Sequence, residues 1–411
     1  MKIVRFLLVV AIAFGMMACN NEDVPQVMDG PEATISVKVF PSTNSPGVRS
    51  VGDLSDANAT TSPGLVAESA VKTLEVWIFE NGILQKYQEG TGNEVKHIPT
   101  VAGLMKIVVV ANANIGTKST LTDLLDEVKA LPTRNVNDTT GTGLIMTAEP
   151  FELTLKPGNN YYGYADGYGV ATVTPTYHSI DTPLPITRVN ARVALVSAVL
   201  DYENVPENQK LVFDALKNVE VAMFNVPKET RLFGESLAKN EAFEFGAKWA
   251  SPDVTYVGAD SESAGNNILW DKIEDNNVLP IVGTNAPFYY VNENTSTTAG
   301  QEMFIVLRAQ VIKDDSVVVS LDKLYTDAEG YTYYPVWVNV DKDGYSYSGD
   351  HTADGKVLRN TQYNISLTIK GLGRPTIDEV KDAWLDVMVT VAPWAVVTQN
   401  VEWGTPTPDA N

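Results

Sequence analysis

Cysteine is almost absent from this 411-residue chain: Cys19 is its one thiol, so no intrachain disulfide can form. Stability must come from burial and hydrogen bonding, and a chain of this length has enough apolar surface for two or three domains. Histidine is scarce too. His97, His178 and His351 are scattered among strand and loop segments, with no partner ligand at metal-binding spacing. No nucleophile elbow or phosphate-binding glycine loop is present, so no enzyme chemistry, metal or cofactor is expected. Asp341-Lys342-Asp343-Gly344 hints at calcium, but an EF-type loop carries glycine sixth and glutamate twelfth. Here Gly344 is the fourth residue, and the run reads as a solvated hairpin turn. Gly163 to Gly169, a Gly/Tyr loop, reads as a turn as well. Positive charge is in short supply: the formal net charge is −21, which argues against nucleic acid and anionic membranes as partners and favours solubility at high surface density.

What is present begins with a leader. Lys2 and Arg5 precede an apolar run from Phe6 to Phe14, then small residues around Gly15 and Ala18. That is the order of a secretory signal, and the run is shorter than the ~20 residues a spanning helix needs. Met16-Met17-Ala18-Cys19 resembles a bacterial lipobox, which implies a signal peptide over 1–18 and an acylated Cys19 at the new N-terminus of an outer-membrane lipoprotein. Glu22 and Asp23 loosely resemble an acidic surface-export tag, and Asp138-Thr139-Thr140 and Asp315-Ser316-Val317 resemble an O-glycosylation pattern.

Almost every periodic segment alternates at period two. Thr34-Ile35-Ser36-Val37-Lys38-Val39, Leu74 to Phe79, Val219 to Phe224 and Leu385 to Val391 are examples. Val, Ile, Thr and aromatic residues fill these runs while Gly, Pro, Asn and Asp punctuate the gaps, so strands are expected. A helix is expected only over Thr120–Ala130, capped by Thr122 or Asp123, with another turn or two over Thr376–Ala383. Segments 70–87 and 215–233 share the pattern Ala-apolar-Lys-polar-apolar-Glu-Val-x-apolar-Phe, then a turn and a second strand. Each follows an alternating strand, 34–40 or 189–199. The expectation is a mainly β chain of two tandem antiparallel β-sandwich, transthyretin-like domains with few short helices. The boundary is placed just after Thr182-Pro183-Leu184-Pro185, giving domains over 50–187 and 188–411. Ser42–Pro63 and Val254–Gly265 read as long loops.

The C-terminal segment carries a resemblance. Arg359-Asn360-Thr361-Gln362-Tyr363 enters an alternating strand that ends in Gly371-Leu372-Gly373, and Leu385 to Val391 runs into Ala392-Pro393-Trp394. This is similar to the signature of the Bacteroidota fimbrillins, the subunits of type V pili, with Arg359, Asn360, Tyr363, Gly371 and Gly373 carrying the motif. Val71 to Phe79, Ile107 to Asn112 and Thr187 to Val193 fit the same family. The resemblance implies a lipoprotein precursor cut by an Arg-specific surface protease in the loop after its first strand. It also implies partners: other copies of the chain, accessory tip and anchor subunits, and a host or bacterial receptor of unknown identity.

The chain has residues in the places this scheme requires. Arg49, followed by Ser50, is the one Arg between the leader and Arg134 and lies in a Pro/Gly/Ser-rich stretch of the kind where nicking concentrates. Without the resemblance it reads as a solvated linker arginine. Cleavage there would discard 19–49 with its strand, whose Ile35, Val37 and Val39 share one face. Losing three such buried side chains costs roughly 5–9 kcal/mol at about 1.5–3 kcal/mol each. The candidate replacement is the donor region 385–403, with Leu385, Val387, Val389 and Val391 on one face and Trp394 as an anchor. Gly371 to Pro375 reads either as a flexible break ahead of it or as an ordinary loop. Trp394 and Trp403 fit a neighbour's pockets or their own core equally well. The alternative reading is a monomeric surface lipoprotein, a tip or anchor component or a glycan-binding module, that keeps its lipid and first strand.

Overall fold

The computed structural model describes residues 30–41, 67–132, 141–164, 177–180, 183–234, 243–249, 269–273, 279, 281–282, 287–296, 298–319, 321, 324–341, 345–347, 353–377, 387–393 and 401–402. At 67, 177–179, 282, 387–393 and 401–402 it describes the backbone alone.

The first half of the chain contributes β1 (Glu32–Pro41), β2 (Thr73–Glu80), β3 (Ile83–Thr91), β4 (Glu94–Val101) and β5 (Gly103–Ala111). Helix α1 (Leu121–Leu125) follows, then β6 (Val128–Ala130), β7 (Met146–Thr147), β8 (Phe151–Leu155), β9 (Gly158–Tyr162), β10 (Tyr177–Ile180) and β11 (Leu184–Arg188). These strands form one hydrogen-bonded path, β10-β9-β1-β11-β7-β5-β2-β3, with β4 on β1 and β8 on β5. The path closes on a core in which Ile35, Val37 and Val39 of β1 and Ile98 of β4 meet Leu74, Val76 and Ile78 of β2 and Ile107 and Val109 of β5. The opposite face of β2 and β5 is buried as well: Trp77, Phe79, Val108 and Val110 pack on Leu124 of α1 and on Leu232 and Phe233 from the second half.

The second half contributes β12 (Asn190–Leu200), α2 (Glu207–Lys210), β13 (Ala215–Phe224), β14 (Val226–Pro227), β15 (Glu229–Arg231), β16 (Phe243–Glu244), β17 (Trp270–Lys272), β18 (Ile281–Val282) and β19 (Phe288–Asn292). It ends with β20 (Phe304–Lys313), β21 (Ser316–Val317), β22 (Tyr331–Trp337), β23 (Tyr345–Tyr347), β24 (Thr361–Ile369), β25 (Val387–Pro393) and β26 (Val401–Glu402). One sheet runs β18-β12-β24-β25-β23, with β19 on β12 and β26 on β24. The other runs β17-β13-β20-β21, with β22 on β20. The two face each other across Val193 and Leu195, Ile365 and Leu367, Val221 and Met223, and Ile305 and Leu307. The architecture is the tandem β-sandwich expected from the alternating pattern.

Two local readings change. The helix expected over Thr120–Ala130 covers only Leu121–Leu125 and is capped by Thr120, whose Oγ1 accepts the Asp123 N–H at 3.1 Å. Thr120 itself is extended and bridges Ile83, and Val128–Ala130 pairs with β15 instead of continuing the helix. Tertiary partners for the backbone outweigh a weak helical preference there. The repeat also holds only in its first strand: β2 pairs with β3 as a hairpin, but β14 pairs with β16, and β15 crosses to β6. Most of the turn expected over Thr376–Ala383 lies outside the described residues, as do the loops 42–63 and 254–265.

Candidate functional site

β1 is the first site. It lies inside its sheet, antiparallel to β4 on one side and parallel to β9 and β11 on the other. Ile35, Val37 and Val39 are each fully buried. A classical-length strand with both edges paired and one face in the core is normally held by short covalent connections. Here β1 is joined to the remainder only through 42–66. Its two ends lie at different places. Glu32 faces Val101, and the Pro31 carbonyl accepts from Ala102, at the end of the domain remote from the second half. Pro41 faces Ile186, two residues before Arg188 reaches into the second half. A bulge in β4 sets Lys96 and His97 opposite the buried Ser36, whose Oγ accepts the His97 N–H at 3.0 Å while His97 takes a φ of 55°.

β25 is the second. It sits in its own domain, antiparallel to β24 and parallel to β23. Val389 faces Ile365 and Val391 faces Tyr363, while Val387 faces Tyr345. Tyr363 and Ile365 point into the main core. Leu385, Trp394 and Trp403 lie outside the described residues, as do Cys19, Arg49 and Ser50. The segment read as a possible break before β25 is pinned. Tyr334 donates to the Gly371 carbonyl at 3.0 Å, Leu372 N–H donates to Gln209 at 2.7 Å, and Arg374 bridges Tyr333. A Cβ on Gly373 would collide with the Tyr333 carbonyl, so this glycine serves close approach rather than a hinge. Ile377 is buried beyond it.

Of the motif residues, Arg359 and Asn360 lie at the junction of the two halves, whereas Gly371 and Gly373 lie beyond the other end of β24. Asn360 adopts φ 53°, and its Oδ1 accepts from the Arg188 backbone N–H at 3.3 Å and from Arg188 Nη1 at 3.2 Å. Arg359 pairs with Glu293 at 3.0 Å and donates to the Leu232 carbonyl at 3.3 Å. Tyr363 Oη, buried at the start of β24, accepts the Leu358 N–H at 2.9 Å. The motif therefore fixes the corner where β24 begins and ties it to the first domain.

Sequence reasoning singled out Arg188 only as part of a strand near the junction, and it missed Glu68. This carboxylate is fully buried in a single 3₁₀ turn, Ala67–Ser69. It accepts from Tyr290 Oη at 2.8 Å and lies 3.4 Å from Arg192 Nε. Arg188 donates to the Glu68 carbonyl at 3.0 Å and to Ser69 Oγ at 2.7 Å. Burial pulls the Arg188 pKa down to about 10 while the Glu68 carboxylate opposes the shift, so Arg188 stays charged at neutral pH. No group of three potential metal ligands exists among the described residues.

Comparison with known proteins gives one answer from three directions. Residues 33–188 match the family model of the major fimbrial subunit protein FimA, and 191–394 match that of the FimA4 pilin C-terminal domain. The major fimbrium subunit FimA type-2 of Porphyromonas gingivalis is 32% identical, over 98% of this chain and 100% of that protein. FimA type-4 of the same organism is 30% identical over the same shares. A crystal structure of a Porphyromonas gingivalis fimbrilin superposes with a TM-score of 0.66 at 26% identity, covering 90% of this chain and 99% of the other. A putative cell adhesion protein from Parabacteroides distasonis shares the fold, with a TM-score of 0.58 at 19% identity over 89% and 99%. The chain belongs to the FimA family of Bacteroidota fimbrillins, the structural subunits of cell-surface fimbriae.

Proposed function

We propose that this fimbrial subunit polymerises by strand exchange set off by proteolysis at Arg49. The carrying observation is that β1 is paired on both edges and buried on its core face, yet is attached only through 42–66. Cutting after Arg49 would free 19–49 to leave and open a groove between β4 and β9. The C-terminal segment 385–403 of a second copy would fill it and recover the lost burial by strand addition. Tethered by its own N-terminal side and entering beside Val101 and Ala102, the donor would run in the direction of β1. The fixed point on the donating subunit would be Ile377, because Gly371–Arg374 is pinned. Cys19 would serve only to carry the closed precursor to the outer membrane. The division into 50–187 and 188–411 belongs to this reading; the change of sheet between β11 and β12 supports it. Other copies, accessory subunits and an Arg-specific protease are the partners it requires.

N-terminal sequencing of the surface protein tests it: Ser50 is the expected first residue, and Arg49→Ala should leave lipidated monomers. A native chain starting at acylated Cys19 overturns it in favour of a monomeric tip, anchor or glycan-binding lipoprotein. Deleting Leu385 onward should abolish filaments and SDS-resistant ladders, and intact filaments after that deletion remove the donor assignment.

A further inference from the structure

The segment 42–66 has two anchors, and they are of different kinds. On its N-terminal side is β1, which is held by ladder bonds and apolar burial. On its C-terminal side is the turn Ala67–Ser69, which is held by polar groups of the second domain. Glu68 is fully buried between the domains, with its carboxylate on Tyr290 of β19 and Arg192 of β12, both at most 1% exposed. Its carbonyl and Ser69 Oγ take two donors of Arg188, whose remaining Nη1 donates to Asn360 ahead of β24. Next to it, Asn112 donates to the Ala70 and Leu144 carbonyls at 2.9 and 2.7 Å and accepts from the Lys72 and Thr73 N–H groups at 2.8 and 3.2 Å. The chain from Glu68 to Thr73 is thus fastened to both domains by hydrogen bonds to residues outside β1.

We propose that Glu68 is the latch of the domain junction: a buried carboxylate that fixes the second domain against the first and keeps it fixed when β1 is absent. A buried carboxylate of this kind is tolerated only when its partners satisfy it, and removing it leaves Arg192 and Tyr290 facing a void. The two anchors then have opposite roles. The β1 side can be withdrawn as a strand, whereas the Glu68 side stays at the junction. An open groove needs a rigid frame to receive a new strand, and the latch supplies it from the domain that is not being opened. The latch in the uncut chain stands apart from strand exchange, and its role once β1 has left rests on that proposed function.

The test is an interdomain distance measured on the uncut chain. With Cys19→Ser removing the one thiol, cysteines at Leu104 and Leu211 take spin labels at remote ends of the two domains, where both side chains are exposed (60% and 77%). The expected result is a narrow distance distribution that Glu68→Ala broadens and Tyr290→Phe broadens less. Amide exchange over 68–73 should quicken by about tenfold or more in Glu68→Ala. Equal widths and unchanged exchange in all three chains overturn the latch. Should Glu68→Ala fail to fold, Tyr290→Phe decides in the same way. Because nothing is cleaved, loss of the Arg49 reading leaves this result standing, and a rigid Glu68→Ala chain sinks the latch while leaving strand exchange untouched.

Discussion

β1 and β12 hold equivalent places in the two domains. Each has an antiparallel neighbour on one side, β4 or β19, and a parallel one on the other, β9 or β24. Each buries alternate aliphatic residues: Ile35, Val37 and Val39 in β1, and Ala191, Val193 and Leu195 in β12. The difference lies in attachment and in polar content. β12 follows β11 after the single residue Val189 and carries Asn190 and Arg192 buried in junction hydrogen bonds and ion pairs. β1 carries no buried charge, and its side-chain hydrogen bonds include Ser36 with the His97 N–H and Thr34 Oγ1 with Asn159 Oδ1. Apolar contacts and ladder bonds are interchangeable between strands of like pattern, whereas a buried Arg or Asn demands specific partners. The strand-exchange proposal therefore assigns the replaceable role to β1 and the permanent one to β12.

The largest effect should come from making β1 irreplaceable. Lys38 and Glu94 face each other in the β1–β4 register. Replacing both with cysteine, in a chain whose only other thiol is Cys19, should cross-link β1 to its neighbour within ordinary disulfide geometry. Under oxidising conditions the protease should still cut but filaments should be absent, and a reductant added afterwards should restore them. Filaments formed while the cross-link is intact would show that β1 need not leave, and the contrast with β12 would lose its meaning.

Next in size are paired core truncations. Val37→Ala and Val193→Ala remove equal volumes from corresponding strands, both fully buried. Each should cost the uncut chain about 2–3 kcal/mol, measured by denaturant unfolding. In assembled filaments the two should separate: Val193→Ala keeps its penalty, whereas Val37→Ala loses it because the strand is gone. Equal penalties in the filament would break the comparison.

Much of the fold was legible because period-two alternation marks a sheet with one face buried, and β1, β2, β13 and β24 fall where the pattern places them. The Arg359-Asn360 motif was legible only as a signature; its role at the corner depends on Arg188 and Glu293, far away in sequence. The junction carboxylate was not legible. Glu68 stands in Val66-Ala67-Glu68-Ser69 with no periodicity around it, and nothing local distinguishes it from a solvated acid. Its burial is created by Tyr290 and Arg192 from the other domain. The same limit explains the repeat. A pattern of Ala-apolar-Lys records which face is buried, but β15 leaves its expected hairpin for β6 because the backbone partners there come from the first domain. From sequence Gly373 reads equally as part of a flexible break or of an ordinary loop, and only the nearby Tyr333 carbonyl shows why a side chain is forbidden there.

The smallest effect concerns the buried polar tie of β1 to β4. Ser36 Oγ accepts the His97 N–H at the bulge, and His97 holds a positive φ of 55° to present it. Ser36→Ala removes the acceptor from a site that is 1% exposed. A hydrogen bond of this kind contributes about 1 kcal/mol, and the strained φ at His97 then has less to hold it. The uncut chain should lose about that much stability, while the filament, lacking Ser36, should lose none. His97→Gly relieves the positive φ in both states, so it should raise filament stability slightly, or leave it unchanged, where Ser36→Ala is silent. If Ser36→Ala weakened the filament as much as the precursor, β1 would still be in its groove. The strand that looks expendable by its chemistry would then be as permanent as β12.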